Sequence, residues 1–251
     1  MKKILILLGL VWMMNNSFAQ NAVALYKQGE SADRKLNSTE ALNKYREVLS
    51  IEPNNSKALF KLVELDCALG DNEMKKDDKK KYYDSALNYA NRLVVVDSLN
   101  INGWYALFIA EGKLIEVETD RKSLIQLFLD TKLYADKVLK LDSNNVKANY
   151  MQGKWQYDMV SFDWKKKIVV TTFTAKLPKA DIDVAVAFLE KAKKQDMYFM
   201  PTYWILANAY KQKNRPTQQT ENLKILLKLP ALSLSENNIK VKAQQMLNEN
   251  E

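Results

Sequence analysis

Glu52-Pro53-Asn54-Asn55 returns as Asp97-Ser98-Leu99-Asn100 and again as Asp142-Ser143-Asn144-Asn145, at an interval of 45 residues each time. Each copy reads acid, then proline or serine, then a free position, then asparagine. An asparagine just before an apolar-periodic run is a helix N-cap, because its side-chain oxygen accepts a hydrogen bond from a backbone N–H that has no partner within the helix. The acid and the proline or serine close the helix before it. Each copy is therefore a turn between two helices, and a fixed interval between such turns is the mark of a repeated unit.

Working outward, the residues before each turn lie on one apolar stripe at helical spacing: Ala41, Tyr45, Val48 and Leu49; Ala86, Ala90, Leu93 and Val94; Ala135, Val138 and Leu139. A second amphipathic run follows the first two turns, with Leu59, Leu62 and Val63, then Trp104, Leu107 and Phe108. The unit is a pair of helices. Strand-like alternation is almost absent, and six glycines and five prolines in 251 residues leave few interruptions.

The first unit, Ala22 to Asn55, is 34 residues long and carries Leu25, Gly29, Ala41, Tyr45 and Pro53. In length and in those positions it resembles the tetratricopeptide repeat (TPR), with Ala32 where that family has a tyrosine. Tyr203, Leu206, Ala207 and Tyr210 resemble its first helix again, Trp104 fills the bulky position of the third unit, and Gly153 the glycine position of the fourth. The resemblance implies an all-α, right-handed superhelical solenoid of about five TPR-like helix pairs. The units fall at about 22–55, 56–100, 101–145, 146–199 and 200–230. A C-terminal capping helix at 235–249, started by Ser235, covers the open end. Small residues (Gly29, Ala41, Ala86, Gly153, Ala207) let helices approach, and bulky ones fill the spaces between them. The second and third units each carry eleven extra residues, expected as longer helices or a longer turn within the pair. Residues 164–180 of the fourth are the least repeat-like, read as a longer helix with a loop or as a protruding contact element.

In TPR solenoids the first helix of each pair lines the concave face. By that resemblance its fifth residue is Tyr26, Phe60, Tyr105, Tyr150 and Trp204, all aromatic; one turn on come Glu30, Glu64, Ile109, Lys154 and Asn208. Tyr26, Phe60, Tyr105, Tyr150, Lys154, Trp204 and Asn208 are thus the candidate partner-binding residues, an aromatic ladder with polar neighbours suited to an extended peptide or a glycan. The alternative is that the rings only pack between neighbouring helices. Tyr26 and Glu30 do not match the lysine and asparagine of chaperone-binding TPR domains, so recognition of a C-terminal carboxylate is not implied.

Catalytic chemistry finds little to work with. The chain has no histidine, which removes histidine bases, triads and metal ligands, and its single cysteine, Cys67, excludes a redox pair and cysteine-rich zinc sites. Asp77-Asp78 and Asp181/Asp183 read as helix ends or faces in water, as does Lys165-Lys166-Lys167. No cofactor, no metal site and no enzymatic activity are expected.

The first nineteen residues read as an address. Lys2 and Lys3 precede an apolar run from Ile4 to Met14, and Ser17-Phe18-Ala19 places small residues before Gln20. That order is a cleavable secretory signal; the run falls short of the roughly 20 residues a membrane span needs. The leader and the Asn/Lys-rich composition are similar to those of exported Bacteroidota proteins. Loss of Lys2 and Lys3 lowers the net charge from +8 to +6, which fits an acidic partner or surface better than nucleic acid in an exported chain. The expected function is a non-catalytic scaffold or adaptor, periplasmic or secreted, holding a peptide segment of another exported or envelope protein in its concave groove. No integral membrane span remains after cleavage, and the oligomeric state is left open. The alternative is a glycan-binding module remotely similar to the SusD-type outer-membrane proteins, which set TPR-like helices behind aromatic sugar platforms.

Overall fold

In the computed structural model the described residues are 20–163 and 177–249. The expected signal segment, 1–19, lies outside them, as does most of the 164–180 segment including Lys165–Lys167. The described residues form helices and no strand. In chain order they are α1 (20–34), α2 (Ser38–Ile51), α3 (Ser56–Asn72), α4 (Lys76–Val96), α5 (Ile101–Val117), α6 (Arg121–Leu141), α7 (Val146–Ser161), α8 (Ile182–Gln195), α9 (Met200–Gln212), α10 (Pro216–Lys228) and α11 (Leu234–Asn248).

The three recurring turns do what their chemistry requires. Asn55 accepts from the Ala58 amide at 3.0 Å, Asn100 from Asn102 at 2.9 Å and Asn145 from Lys147 at 2.9 Å. On the other side of each turn the amides of Glu52, Asp97 and Asp142 close the preceding helix on Val48, Leu93 and Val138. A fourth turn of the same form lies at Asp196–Phe199, where the Asp196 carboxylate accepts from the Tyr198 amide. It has no asparagine, and Pro201 opens α9 instead. The terminal helix also starts differently from expectation: its cap is Ser233, which accepts from Glu236, and Ser235 lies within the first turn. Ser233 leaves the chain extended before the helix and can reach back to the amide three residues on.

Each helix packs on the next, so the fold is a helical solenoid in which the odd-numbered helices open the pairs. The extra length of the second and third pairs lies in the helices: 17 and 21 residues in α3 and α4, and again in α5 and α6, against 13 each in α9 and α10. One apolar core runs from α1 to α5, a second from α5 to α9 around the fully buried Trp155, whose indole N–H donates to the Phe128 carbonyl at 2.9 Å, and a third joins α9, α10 and α11. Gly29 and Gly153 are close-approach positions. A Cβ at Gly29 would stand 2.7 Å from the Tyr45 ring, and one at Gly153 would stand 2.5 Å from Leu189 and 2.9 Å from the Ala185 carbonyl.

α11 packs on α9 and α10, where the next helix of the solenoid would stand, and also reaches α3. Leu234 donates its amide to Asp33 of α1 at 3.3 Å, Asn238 donates to the Ala68 carbonyl at 3.0 Å, and Lys242 meets Asp71 at 3.3 Å. The last helix therefore crosses the concave face and returns to the first two pairs.

Candidate functional site

The concave face holds a cavity of about 410 Å³, with α3, α5, α7 and α9 as floor and walls and α11 as roof. Its floor is aromatic. Tyr105 lies 6.1 Å ring to ring from Phe60, 6.2 Å from Tyr150 and 6.2 Å from Phe199, and Tyr150 meets Phe199 edge-on at 5.2 Å. Such tilted and edge-to-face arrangements suit the ring quadrupoles. The Lys147 ammonium stands 4.7 Å from the Phe60 centroid and 4.8 Å from that of Tyr105. Burial holds the Lys147 amine below its ordinary pKa, against the pull of Glu64, and its position over two ring faces recovers part of the lost solvation.

The expected residues divide in two. Tyr105, Tyr150, Lys154 and Trp204 line the cavity together. Tyr26 instead packs on Tyr45 at 5.5 Å, Phe60 sits behind Tyr105, and Asn208 donates to the Trp204 carbonyl of its own helix at 2.7 Å. Tyr105 and Tyr150 are each only 5 % exposed, so most of each ring is helix packing. Burial raises both phenols above their ordinary pKa. Lys154 is tied to Asp158 at 2.5 Å.

Sequence reasoning missed the charged wall. Lys113 of α5 bridges to Asp71 of α3 at 2.7 Å and to Glu116 at 3.1 Å, and Asp71 also accepts from the Tyr83 hydroxyl at 2.9 Å. Burial alone would raise the Asp71 carboxyl; Lys113 and Lys242, with the hydrogen bonds from Lys113 and Tyr83, overcome that and hold it below its usual value. Lys61 and Glu64, which pair at 3.0 Å, also line the cavity. Asp71, Lys113 and Glu116 follow Phe60 and Tyr105 by two to three helical turns on the same face, a periodic signal that could have found them, as it did Glu64 one turn after Phe60. Phe199 was missed because it caps α9 from outside the helix. Gly112 also lines the cavity, and a Cβ there would meet no heavy atom within 4 Å.

Cys67 is buried at the cavity wall, and burial pushes its thiol up, away from the reactive thiolate. Asp181 caps α8, accepting from the amides of Asp183 and Val184. Among the described residues no group of three or more acidic or cysteine side chains could hold a metal ion, and no helix is long and apolar enough to cross a membrane.

A family model for "Regulator of microtubule dynamics protein 1-3" matches residues 18–251. The chain is 27% identical over 128 residues to Regulator of microtubule dynamics protein 3 of Bos taurus, which is 51% of this chain and 26% of the bovine protein, so the match spans about a quarter of that relative. Among solved structures, a thermophilic TPR protein of Thermus thermophilus superposes with a TM-score of 0.62 at 16% identity, covering 93% of this chain and 99% of that one. The MamA protein reaches a TM-score of 0.44 at 18% identity over 89% and 96%. The Thermus likeness extends to the fold.

Proposed function

The chain belongs to the Regulator of microtubule dynamics protein 1-3 family, and from that membership and its groove we propose that it is a non-catalytic interaction protein holding a segment of a partner protein against its concave face. The observation that carries this reading is the cavity itself. Side chains from four successive pairs converge on one space of about 410 Å³, apolar at its floor and charged at its wall, within the range that ligand sites use. Aromatic anchors in a desolvated hollow with a polar rim are how a small surface holds a protein segment. The sugar-platform alternative is less well served, because Tyr105 and Tyr150 offer little open ring face.

Gly112 supplies the test. A Cβ there meets no heavy atom within 4 Å, so a leucine can be built from it toward the cavity, and leucine improves helix propensity over glycine. Tagged wild type and Gly112→Leu, both with intact thermal unfolding, are used to capture proteins from envelope extract. One protein retained by the wild type and reduced at least tenfold by Gly112→Leu is the expected result; equal capture by both sinks the groove reading.

The proposed compartment is outside the cytoplasm, supported by the charged, apolar and small-residue order of residues 1–19 and by a family match that begins at residue 18. N-terminal sequencing of the protein from fractionated cells should begin at Gln20, and a cytoplasmic chain retaining Met1 would refute export. The family description favours a second reading, action on microtubules, which the +8 net charge suits if the polymer surface is acidic. Salt-sensitive co-sedimentation with polymerised tubulin would select that reading over the exported one.

A further inference from the structure

The roof of the groove is a helix of this chain, and it fits poorly what lies beneath it. Ser235, Glu236, Ile239 and Lys242 recur at three- and four-residue spacing and form the face of α11 that lines the cavity. Three of the four are polar, yet they stand over Tyr105, Tyr150, Phe199 and Trp204 with about 410 Å³ unfilled between. Only Leu234 and Ala243 of the fifteen residues of α11 are buried. Its apolar hold on α1 and α3 is the single side chain of Leu234, buried in the first core; the rest is polar: the Leu234 amide on Asp33, the Asn238 amide group on the Ala68 carbonyl, and the half-exposed Lys242 on the mostly buried Asp71. Residues 229–233, with Pro230, carry no helix and join α11 to the solenoid as a short link.

We propose that α11 is a displaceable occupant of the groove, and that the segment replacing it is an amphipathic helix of a partner protein with bulky apolar residues toward the aromatic floor and a basic residue set against Asp71. This rests on the groove reading above and names the class of its ligand. The seated α11 shows that the groove accepts a helix and where that helix bears its charge. The void shows which side chains would improve on it: apolar ones at the places of Ser235 and Glu236 and an aromatic one at that of Ile239. Helix-in-groove recognition by residues at such spacing is an established mode of binding, and a competitor attached to the same chain lowers the apparent affinity by the fraction of time the groove is covered.

The test uses the full chain and a fluorescein-labelled synthetic peptide of residues 230–249 carrying Ser235→Leu, Glu236→Leu and Ile239→Phe. Anisotropy titrations compare the wild type with Asn238→Ala/Lys242→Ala, which loosens the hold of α11 on α3, and with Ser233→Ala, which removes the cap of α11 and changes the cavity lining by one hydroxyl while leaving the floor from α3, α5, α7 and α9 as it is. Circular dichroism checks that each chain is folded. The expected result is at least tenfold tighter peptide binding to either loosened chain, with faster amide exchange in α11 of the wild type when peptide is added. Equal affinity for all chains, no binding to any, or binding that leaves α11 exchange unchanged overturns the proposal. If envelope-protein capture is still lost in Gly112→Leu while the peptide fails, the groove function stands and its helical ligand falls.

Discussion

At the residue scale, Glu111 is the side chain whose surroundings most change its chemistry. It is buried on α5; one carboxylate oxygen accepts from the Tyr134 hydroxyl at 2.8 Å and the other has no partner. Burial pushes its pKa up to about 7, and the Tyr134 bond only partly opposes that. A carboxyl that binds its proton more readily when folded contributes stability fully below its unfolded pKa, near 4.5, and loses it as pH rises through about 7. Glu111→Gln should therefore unfold like the wild type at pH 4 but be more stable by about 3 kcal/mol at pH 8. Thermal melts across that range check it, and a variant that is destabilised at pH 8 would contradict the assignment. The glycines make a paired prediction. Gly153→Ala drives a methyl into Leu189 and the Ala185 carbonyl and should cost about 2 kcal/mol. Gly112→Ala meets nothing and should gain about 0.5–1 kcal/mol from helix propensity alone. Chemical denaturation of the two variants measures both. Gly153 was readable as a close approach from the repeat pattern; Gly112 was not, because a helical glycine facing empty space looks the same in sequence.

At the scale of elements, the helix starts carry the repeat. Asn55, Asn100 and Asn145 each satisfy an amide that would otherwise be unpaired in a tightly packed turn. Asn55→Ala and Asn145→Ala should each cost about 1 kcal/mol, and the serine variants should recover most of it; equilibrium unfolding with and without the serine rescue separates capping from packing. These elements were legible because a cap is a local matter between one side chain and an amide two or three residues away. The fourth turn, between the units read as 146–199 and 200–230, departs from the acid-to-asparagine pattern because Pro201 takes over the start of α9, and the start of α11 was misplaced by two residues because Ser233 and Ser235 are equally able caps until the direction of the incoming chain is known. The ladder shows the same division. The aromatic positions follow from the repeat, but whether a ring faces the groove or its neighbour depends on the offset between adjacent helices. Tyr105 and Tyr150 do both, whereas Tyr26 turns to Tyr45.

At the scale of the whole molecule, Asp71 joins what the chain separates. It is on α3 and receives Lys113 from α5, Tyr83 from α4 and Lys242 from α11, 171 residues away. Asp71→Asn would leave Lys113 in a closed wall with only Glu116 as a charged partner, and should cost about 2–3 kcal/mol at neutral pH. Because the Asp71 carboxyl is held below its usual pKa, its contribution is present above about pH 4 and lost as pH falls through the folded value; the difference between variant and wild type should shrink in acid. Hydrogen exchange should at the same time show α11 and the α3–α4 turn opening more often, since stability in a solenoid is carried by neighbouring interfaces.

The sequence by itself determined the helices, most of their starts and the pairing of each with the next, because caps, apolar stripes and small-residue approaches act over one or two turns and along one interface. It also determined that no histidine chemistry is available. Only the tertiary structure decided that the groove has a roof. The curvature of a solenoid is the sum of small rotations at each interface, and no residue records that sum. After five pairs it brings α11 back to Asp33, Ala68 and Asp71, and so determines which aromatic side chains share a cavity and which are simply packed.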